Sequence, residues 1–140
     1  MSNAVTIDAS VLVSAFTPSE KAHRSCKVLL REIRRSETPI ILPTLAIVEI
    51  AAAIGRGQSK PDLGYAFALE VSRFPELTLV NLDTSLAHEA ADIAARYRLR
   101  GSDAVYVAVA RRFGATLVTL DAEQRERAAA IVPVHWPEGA

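Results

Sequence analysis

The chain has 140 residues, half of them hydrophobic and 23% charged, with 16 basic side chains balanced by 16 acidic ones. That length suits one domain with a sizeable core, and the balance is that of a soluble globular protein. No apolar run approaches the ~20 residues needed to cross a bilayer. The start lacks a charged-then-apolar leader, so a cytoplasmic address is expected, and the single cysteine, Cys26, excludes an intrachain disulfide framework or zinc–thiolate site.

In chain order, Val5-Thr6-Ile7 reads as a short apolar strand ending at Asp8, followed by a short helix over 9–16. From Glu20 to Arg35 apolar residues recur at Ala22, Cys26, Leu29, Leu30 and Ile33, the spacing of an amphipathic helix that buries the Cys26 thiol. Ile40-Ile41-Leu42 is a second strand, stopped by Pro43. Thr44 is placed to cap a helix running through Ile54 and closed by Gly55 and Gly57. Pro61 opens another helix to about Phe74, and Leu77-Thr78-Leu79-Val80 is a third strand. A helix from Asp83 to Tyr97 follows, then one capped by Ser102 and ended by Gly114. Thr116 to Leu120 is the fourth strand, Asp121 to Ala130 a last helix, and Ile131 to Val134 an edge strand.

Short apolar strands alternating with helices imply an α/β fold, a central, mostly parallel sheet of four or five strands flanked by helices. In such sheets ligands bind beyond the carboxyl ends of the strands. Asp8 and Asp121 directly follow the first and fourth strands, Asp103 lies in the first turn of the helix leading into the fourth, and Glu49 sits inside the helix after the second. Each has a bland explanation: Asp after a strand caps helices, and Asp near a helix start gains from the dipole. Glu49 is harder to dismiss, because Leu45 to Ala53 has no polar face, so it is either buried with a partner or lines a cleft.

If these four acids converge, each pair about 5 Å apart repels by roughly 3 kcal/mol at an effective dielectric near 20. Protonation or a bound cation must relieve that. Oxygen-only ligands suit a hard cation such as Mg²⁺ or Mn²⁺, and such ions held by acids commonly serve phosphodiester hydrolysis.

Zero net charge hides a segregated distribution. Lys21, Arg24, Lys27, Arg31, Arg34 and Arg35 crowd the second helix, and five arginines lie between Arg96 and Arg112, whereas 61–95 holds six acids and only Arg73. These runs are either solvated helix faces or a basic rim round the acids, suited to phosphate. His23, His88 and His135 are scattered. Ser10 lacks a Gly-flanked elbow and no Gly-rich phosphate loop is present, against a Ser–His–Asp hydrolase or a nucleotide-binding fold. Asp83 after the third strand would suit a phosphoacceptor, but Ala9 and His135-Trp136 stand where that reading wants an acid and a lysine.

Asp8-Ala9-Ser10, Glu49 within Val48-Glu49-Ile50, and Ser102-Asp103-Ala104-Val105-Tyr106-Val107-Ala108 through Gly114 to Leu117-Val118-Thr119-Leu120-Asp121 resemble the PIN-domain nucleases, most of all the toxins of VapBC-type toxin–antitoxin pairs. The likeness spans residues 1–140 as one PIN-like domain. It implies an Mg²⁺- or Mn²⁺-dependent endoribonuclease that forms a homodimer and is held by an antitoxin protein. Carried over by position, Asp8, Glu49, Asp103 and Asp121 are the catalytic and metal-binding acids, Ser10 and Thr119 supply hydroxyls, and Glu123 falls where some members have a further acid. A non-catalytic PIN-fold module binding RNA or protein, and a housekeeping PIN nuclease, are the competing readings. An apolar surface for a partner is expected on the helix Val11 to Phe16 or the helix holding Phe67 and Leu69.

Overall fold

The computed structural model describes residues 4–57 and 59–137. Five strands form one wholly parallel sheet in the order β3-β2-β1-β4-β5. The strands are β1 (Val5–Ile7), β2 (Ile40–Pro43), β3 (Leu77–Val80), β4 (Thr116–Val118) and β5 (Val134–His135). The helices among the described residues are α1 (Ala9–Phe16), α2 (His23–Arg35), α3 (Leu45–Gly57), α4 (Pro61–Ser72), α5 (Thr84–Tyr97), α6 (Gly101–Phe113) and α7 (Ala122–Ala128). None of them is long and apolar enough to cross a membrane.

The strand order fixes the location of the site. The chain steps from β1 outward to β2 and β3, then returns past β1 to lay β4 on its other side. Connections therefore diverge between β1 and β4, leaving a crevice at their carboxyl ends. Ile7 pairs with Val118, and the Asp8 N–H donates to the Val118 carbonyl at 2.9 Å, so Asp8 and the turn carrying Asp121 emerge together. Helix α6 runs back across β1, β2 and β4 under α5, with every residue from Ala104 to Ala110 buried. Because α6 feeds β4 through Gly114, in the left-handed region at φ 64°, its first turn lies at the same edge as Asp8.

Several element ends differ from those read in the sequence. Helix α2 starts at His23, because Glu20 and His23 N–H groups bond three residues back as turns after Pro18. Arg100, not Ser102, takes the cap position of α6, and Ser102 sits within its first turn. The Thr44 hydroxyl accepts the Leu82 N–H at 3.3 Å, tying the end of β2 to the loop after β3. Helix α3 continues through Gly57 rather than ending at Ile54, so Gly55 and Gly57 lie within it. Strand β4 ends at Val118, where the Thr119 hydroxyl accepts the Asp121 N–H and turns the chain. The last strand is Val134–His135; Ile131 and Val132 donate to the Ala128 carbonyl in a turn, and Pro133 has no N–H to give.

Both helix faces expected to bind a partner belong largely to the core. Val11, Leu12 and Val13 are buried, and Phe16 stacks on buried Phe67 with centroids 4.1 Å apart, joining α1 to α4. The exposed apolar side chains nearest α4 are instead Val48 of α3, 65% exposed, and Tyr65 of α4, 64% exposed.

Helices α3 and α4 approach at Gly64, where a Cβ would stand 2.7 Å from the Ala51 carbonyl oxygen and 2.9 Å from the Gly55 nitrogen. Both obstacles are backbone, which cannot rotate away. Gly64→Ala should therefore lose about 1–3 kcal/mol of stability in urea unfolding despite alanine's better helix propensity. Unchanged or increased stability would mean that the helices can part at no cost.

Candidate active site

A cavity of about 500 Å³ opens at the carboxyl edge of β1 and β4, and Asp8, Glu49, Asp103 and Asp121 all line it. Ser10, Glu20, Arg56, Arg100 and Ser102 share its wall. Five carboxylates thus face two guanidiniums.

Each acid is held by a separate local device. Asp8 is the N-cap of α1: its Oδ2 accepts both the Ser10 N–H, at 3.1 Å, and the Ser10 hydroxyl. Burial pushes the Asp8 carboxyl up, the Ser10 bonds oppose this, and the charges of Glu49 and Asp121 push it further up. Asp121 caps α7, its Oδ1 accepting the N–H groups of Glu123 and Gln124 at 2.9 and 3.1 Å. The cap explanation is therefore true of both residues, and each keeps a carboxylate on the cavity wall as well. Glu49, in the second turn of α3, is half-buried, and its Oε1 accepts the Tyr106 hydroxyl at 2.7 Å. Both readings of Glu49 thus hold together: it has a partner and it lines the cleft. Burial, then the Glu49 bond, raises the Tyr106 phenol well above the ordinary range, so it stays protonated and donates.

Asp103, in the first turn of α6, is pushed up to about 6, mostly by burial and then by the charges of Asp8 and Asp121, with Arg100 pulling the other way. Arg100 stands 3.9 Å from Asp103 Oδ2 and 3.5 Å from Asp121 Oδ2. Among the described residues no three carboxylate, imidazole or thiol groups are grouped to chelate one ion as they stand: Asp103 and Asp121 lean toward Arg100 and Asp8 toward Ser10. The donors are nonetheless all oxygen and mutually repelling, a set whose chemistry fits a hard divalent cation.

Thr119 is fully buried and off the cavity wall. Its hydroxyl accepts the Asp121 N–H and donates to Gln124 Oε1 at 2.6 Å, while Gln124 Nε2 reaches the Asp103 carbonyl oxygen at 3.3 Å. Buried Gln124 thereby links the two segments carrying Asp103 and Asp121. Glu123 points elsewhere, paired with Arg127 at 2.9 Å. Sequence reading missed Tyr106, Gln124 and Arg56 as parts of this region and placed Arg100 only as one of a run of arginines offered as a basic rim. Gln124 gave no signal, because it lies in α7 among Glu123, Arg125, Glu126 and Arg127, and Tyr106 looked like core. Five of the nine arginines of the basic runs are engaged elsewhere: Arg34 with Glu76, Arg35 with Glu32, Arg96 with Asp92, Arg111 and Arg112 with Glu89. For those the solvated-face explanation holds. His23 Nδ1 bonds the Ser14 carbonyl, and His135 lines a separate cavity beside α2 with Lys21 and Arg24.

The family model described as PIN domain matches residues 5–130 of the chain. Among solved structures, the fold is similar to Mycobacterium tuberculosis VapC20, described as a Sarcin-Ricin loop cleaving toxin, with a TM-score of 0.74 and 17% identity over 94% of this chain and 98% of that one. VapBC2 from Rickettsia felis, bound to a promoter DNA fragment, aligns with a TM-score of 0.70 and 12% identity over 95% of this chain and 98% of that one. FitAcB from Neisseria gonorrhoeae aligns at 0.69 and 20% identity over 95% and 97%. A search of curated proteins finds no match.

The raised Asp103 makes stability depend on pH in a definite direction. Its folded value near 6 exceeds the ordinary 3.8, so the folded state holds the proton more tightly. The resulting stabilisation is present at low pH and is lost as pH rises from about 4 through 6. In the presence of a chelator, Asp103→Asn should therefore be more stable than the parent at pH 7.5, by on the order of 2 kcal/mol, and the gain should vanish near pH 4. A less stable Asn variant at pH 7.5 would contradict the crowding of charge.

Proposed function

The chain belongs to the PIN-domain family, and from that premise we propose that it is a divalent-metal-dependent endoribonuclease, the toxin of a toxin–antitoxin pair. The observation that carries this reading is the meeting of Asp8, Glu49, Asp103 and Asp121, contributed by four separate segments, on the wall of one cleft. A capping role alone accounts for Asp8 and Asp121 but leaves Glu49 and Asp103 without a reason to join them.

In this reading Asp8, Asp103 and Asp121 hold Mg²⁺ or Mn²⁺, and Glu49 assists directly or through water. When bound, such an ion supplies Lewis acidity toward water and toward the leaving oxygen of a phosphodiester. Ser10 fixes the rotamer of Asp8 through its two donated bonds. Tyr106 pins Glu49 Oε1 and leaves Oε2 to accept a proton. Gln124 and Thr119 hold the Asp103 and Asp121 backbones in register. Arg56 and Arg100 are the cations of the cavity wall and meet the phosphates of an RNA strand.

The antitoxin belongs to the same proposal. An apolar groove of about 760 Å³ between α3 and α4, bordered by Val48 and Tyr65, shares Ala52 and Arg56 with the acidic cleft. A partner segment with apolar anchors in the groove could place a cation among the acids. The likeness of fold to the proteins described as VapBC2 and FitAcB supports an antitoxin partner, and its placement rests on the groove alone. Pairing of two copies of this chain, implied by the family likeness, completes the proposal.

Incubation of single-stranded RNA with the protein should give cleavage in Mn²⁺ or Mg²⁺ and none in chelator, with Asp8→Asn at background while melting as a folded protein. Cleavage in chelator, or full activity of Asp8→Asn, would sink the assignment, and a parent protein that binds RNA without cutting it would favour a non-catalytic module. Tyr106→Phe keeps the ring but frees Glu49, and should cost roughly 10–100-fold in metal affinity or activity, the usual effect of losing a group that orients a ligand. An unchanged rate would mean that Glu49 needs no such support.

A further inference from the structure

Arg100 is, among the described residues, the one cation paired with any of the four acids, and it is paired with two of them. The pairing is loose. The guanidinium lies 3.9 Å from Asp103 and 3.5 Å from Asp121, forms no hydrogen bond to either among the described residues, and its side chain is 70% exposed. Ion pairs this open to water contribute little. The backbone of Arg100, by contrast, is anchored: it occupies the N-cap of α6, and its carbonyl accepts the Ala104 N–H at 2.9 Å. A flexible cationic arm is therefore rooted at the mouth of the cleft, three residues before Asp103.

The same two carboxylates cannot serve Arg100 and a divalent ion equally. Their oxygens stand 3.9 and 3.5 Å from the guanidinium now, and a divalent ion would need them at bonding distance. An ion with two charges at bonding distance outcompetes a single delocalised charge nearly twice as far away. Once displaced, the guanidinium remains beside the site with its five N–H donors free, the arrangement best suited to a phosphate.

We propose that Arg100 is an exchangeable counter-ion: it holds Asp103 and Asp121 in the metal-free protein and passes to a backbone phosphate of the substrate when a divalent ion takes those carboxylates. This deepens, and rests on, the nuclease reading above. Its signature is a pair of opposite effects. Loss of Arg100 strengthens metal binding, because a competitor is gone, and weakens RNA binding, because a phosphate contact is gone. A merely structural role would move both the same way or neither.

The test compares the parent, Arg100→Gln and Arg100→Lys, all checked by melting for intact fold. Calorimetric titration with Mn²⁺ alone should show Arg100→Gln binding about two- to fivefold more tightly, with Arg100→Lys close to the parent. Single-stranded RNA, titrated in Ca²⁺ under conditions in which it stays intact, should bind Arg100→Gln about tenfold more weakly. The slope of log Kd against log salt should fall by about 0.7, the share of one phosphate on a single strand. Mn²⁺ affinity that is unchanged or weaker in Arg100→Gln overturns the counter-ion role. Unchanged RNA affinity and slope overturn the phosphate contact. A parent that binds no Mn²⁺ at millimolar concentration overturns the nuclease reading and Arg100's part with it, whereas Mn²⁺ binding with no difference between variants overturns only the latter.

Discussion

Repulsion among carboxylates at one sheet edge is the constraint that organises this molecule. Asp8, Glu49, Asp103 and Asp121 come from the ends of β1 and β4 and from α3 and α6, and the fold confines them to a single cleft. Burial and the fields of Asp8 and Asp121 push Asp103 up to about 6, so its carboxyl is harder to ionise in the folded protein than in water. A domain of this size has only some 5–15 kcal/mol of net stability, so such crowding is not kept without a use. In the proposed function that use is to hold a divalent cation.

Rigid parts of the fold are arranged around that crowding. Helix α6 is buried along seven consecutive residues, so Asp103 rides on an element that cannot shift without disturbing the core. Tyr106, one turn further on, reaches out of the same helix to Glu49. Gln124 accepts from the Thr119 hydroxyl, in the turn after β4, and donates to the Asp103 carbonyl at the start of α6. Stability and positioning are served by the same contacts.

The sheet and the acids were legible in the sequence because they obey short-range rules. Apolar triplets ending at Asp8 and running toward Asp121 mark strands with their acids at one edge, and an acid on a helix without a polar face marks Glu49. Other features depended on contacts between distant residues. Tyr106 has the composition of a core aromatic, and only its proximity to Glu49, 57 positions away, reveals the phenol as a positioning group. The helix Val11 to Phe16 and Phe67 carry an apolar pattern that cannot say whether a face meets a partner or another helix; the stacking of Phe16 on Phe67 decides it. Element ends were displaced wherever a side chain replaced backbone pairing, as at Thr119, or wherever proline removed a donor, as at Pro133. Likewise, arginine density alone did not separate Arg100 from Arg96, Arg111 and Arg112, which are paired with acids on helix surfaces.

The most direct measurement is the anomalous scattering of crystals grown with Mn²⁺. A single strong peak at bonding distance, roughly 2.1 Å, from oxygens of Asp8, Asp103 and Asp121, with Arg100 withdrawn from both acids, is the expected result. A map at saturating Mn²⁺ with no peak in that cleft, and the carboxylates still apart, would contradict the claim that their convergence exists to bind metal.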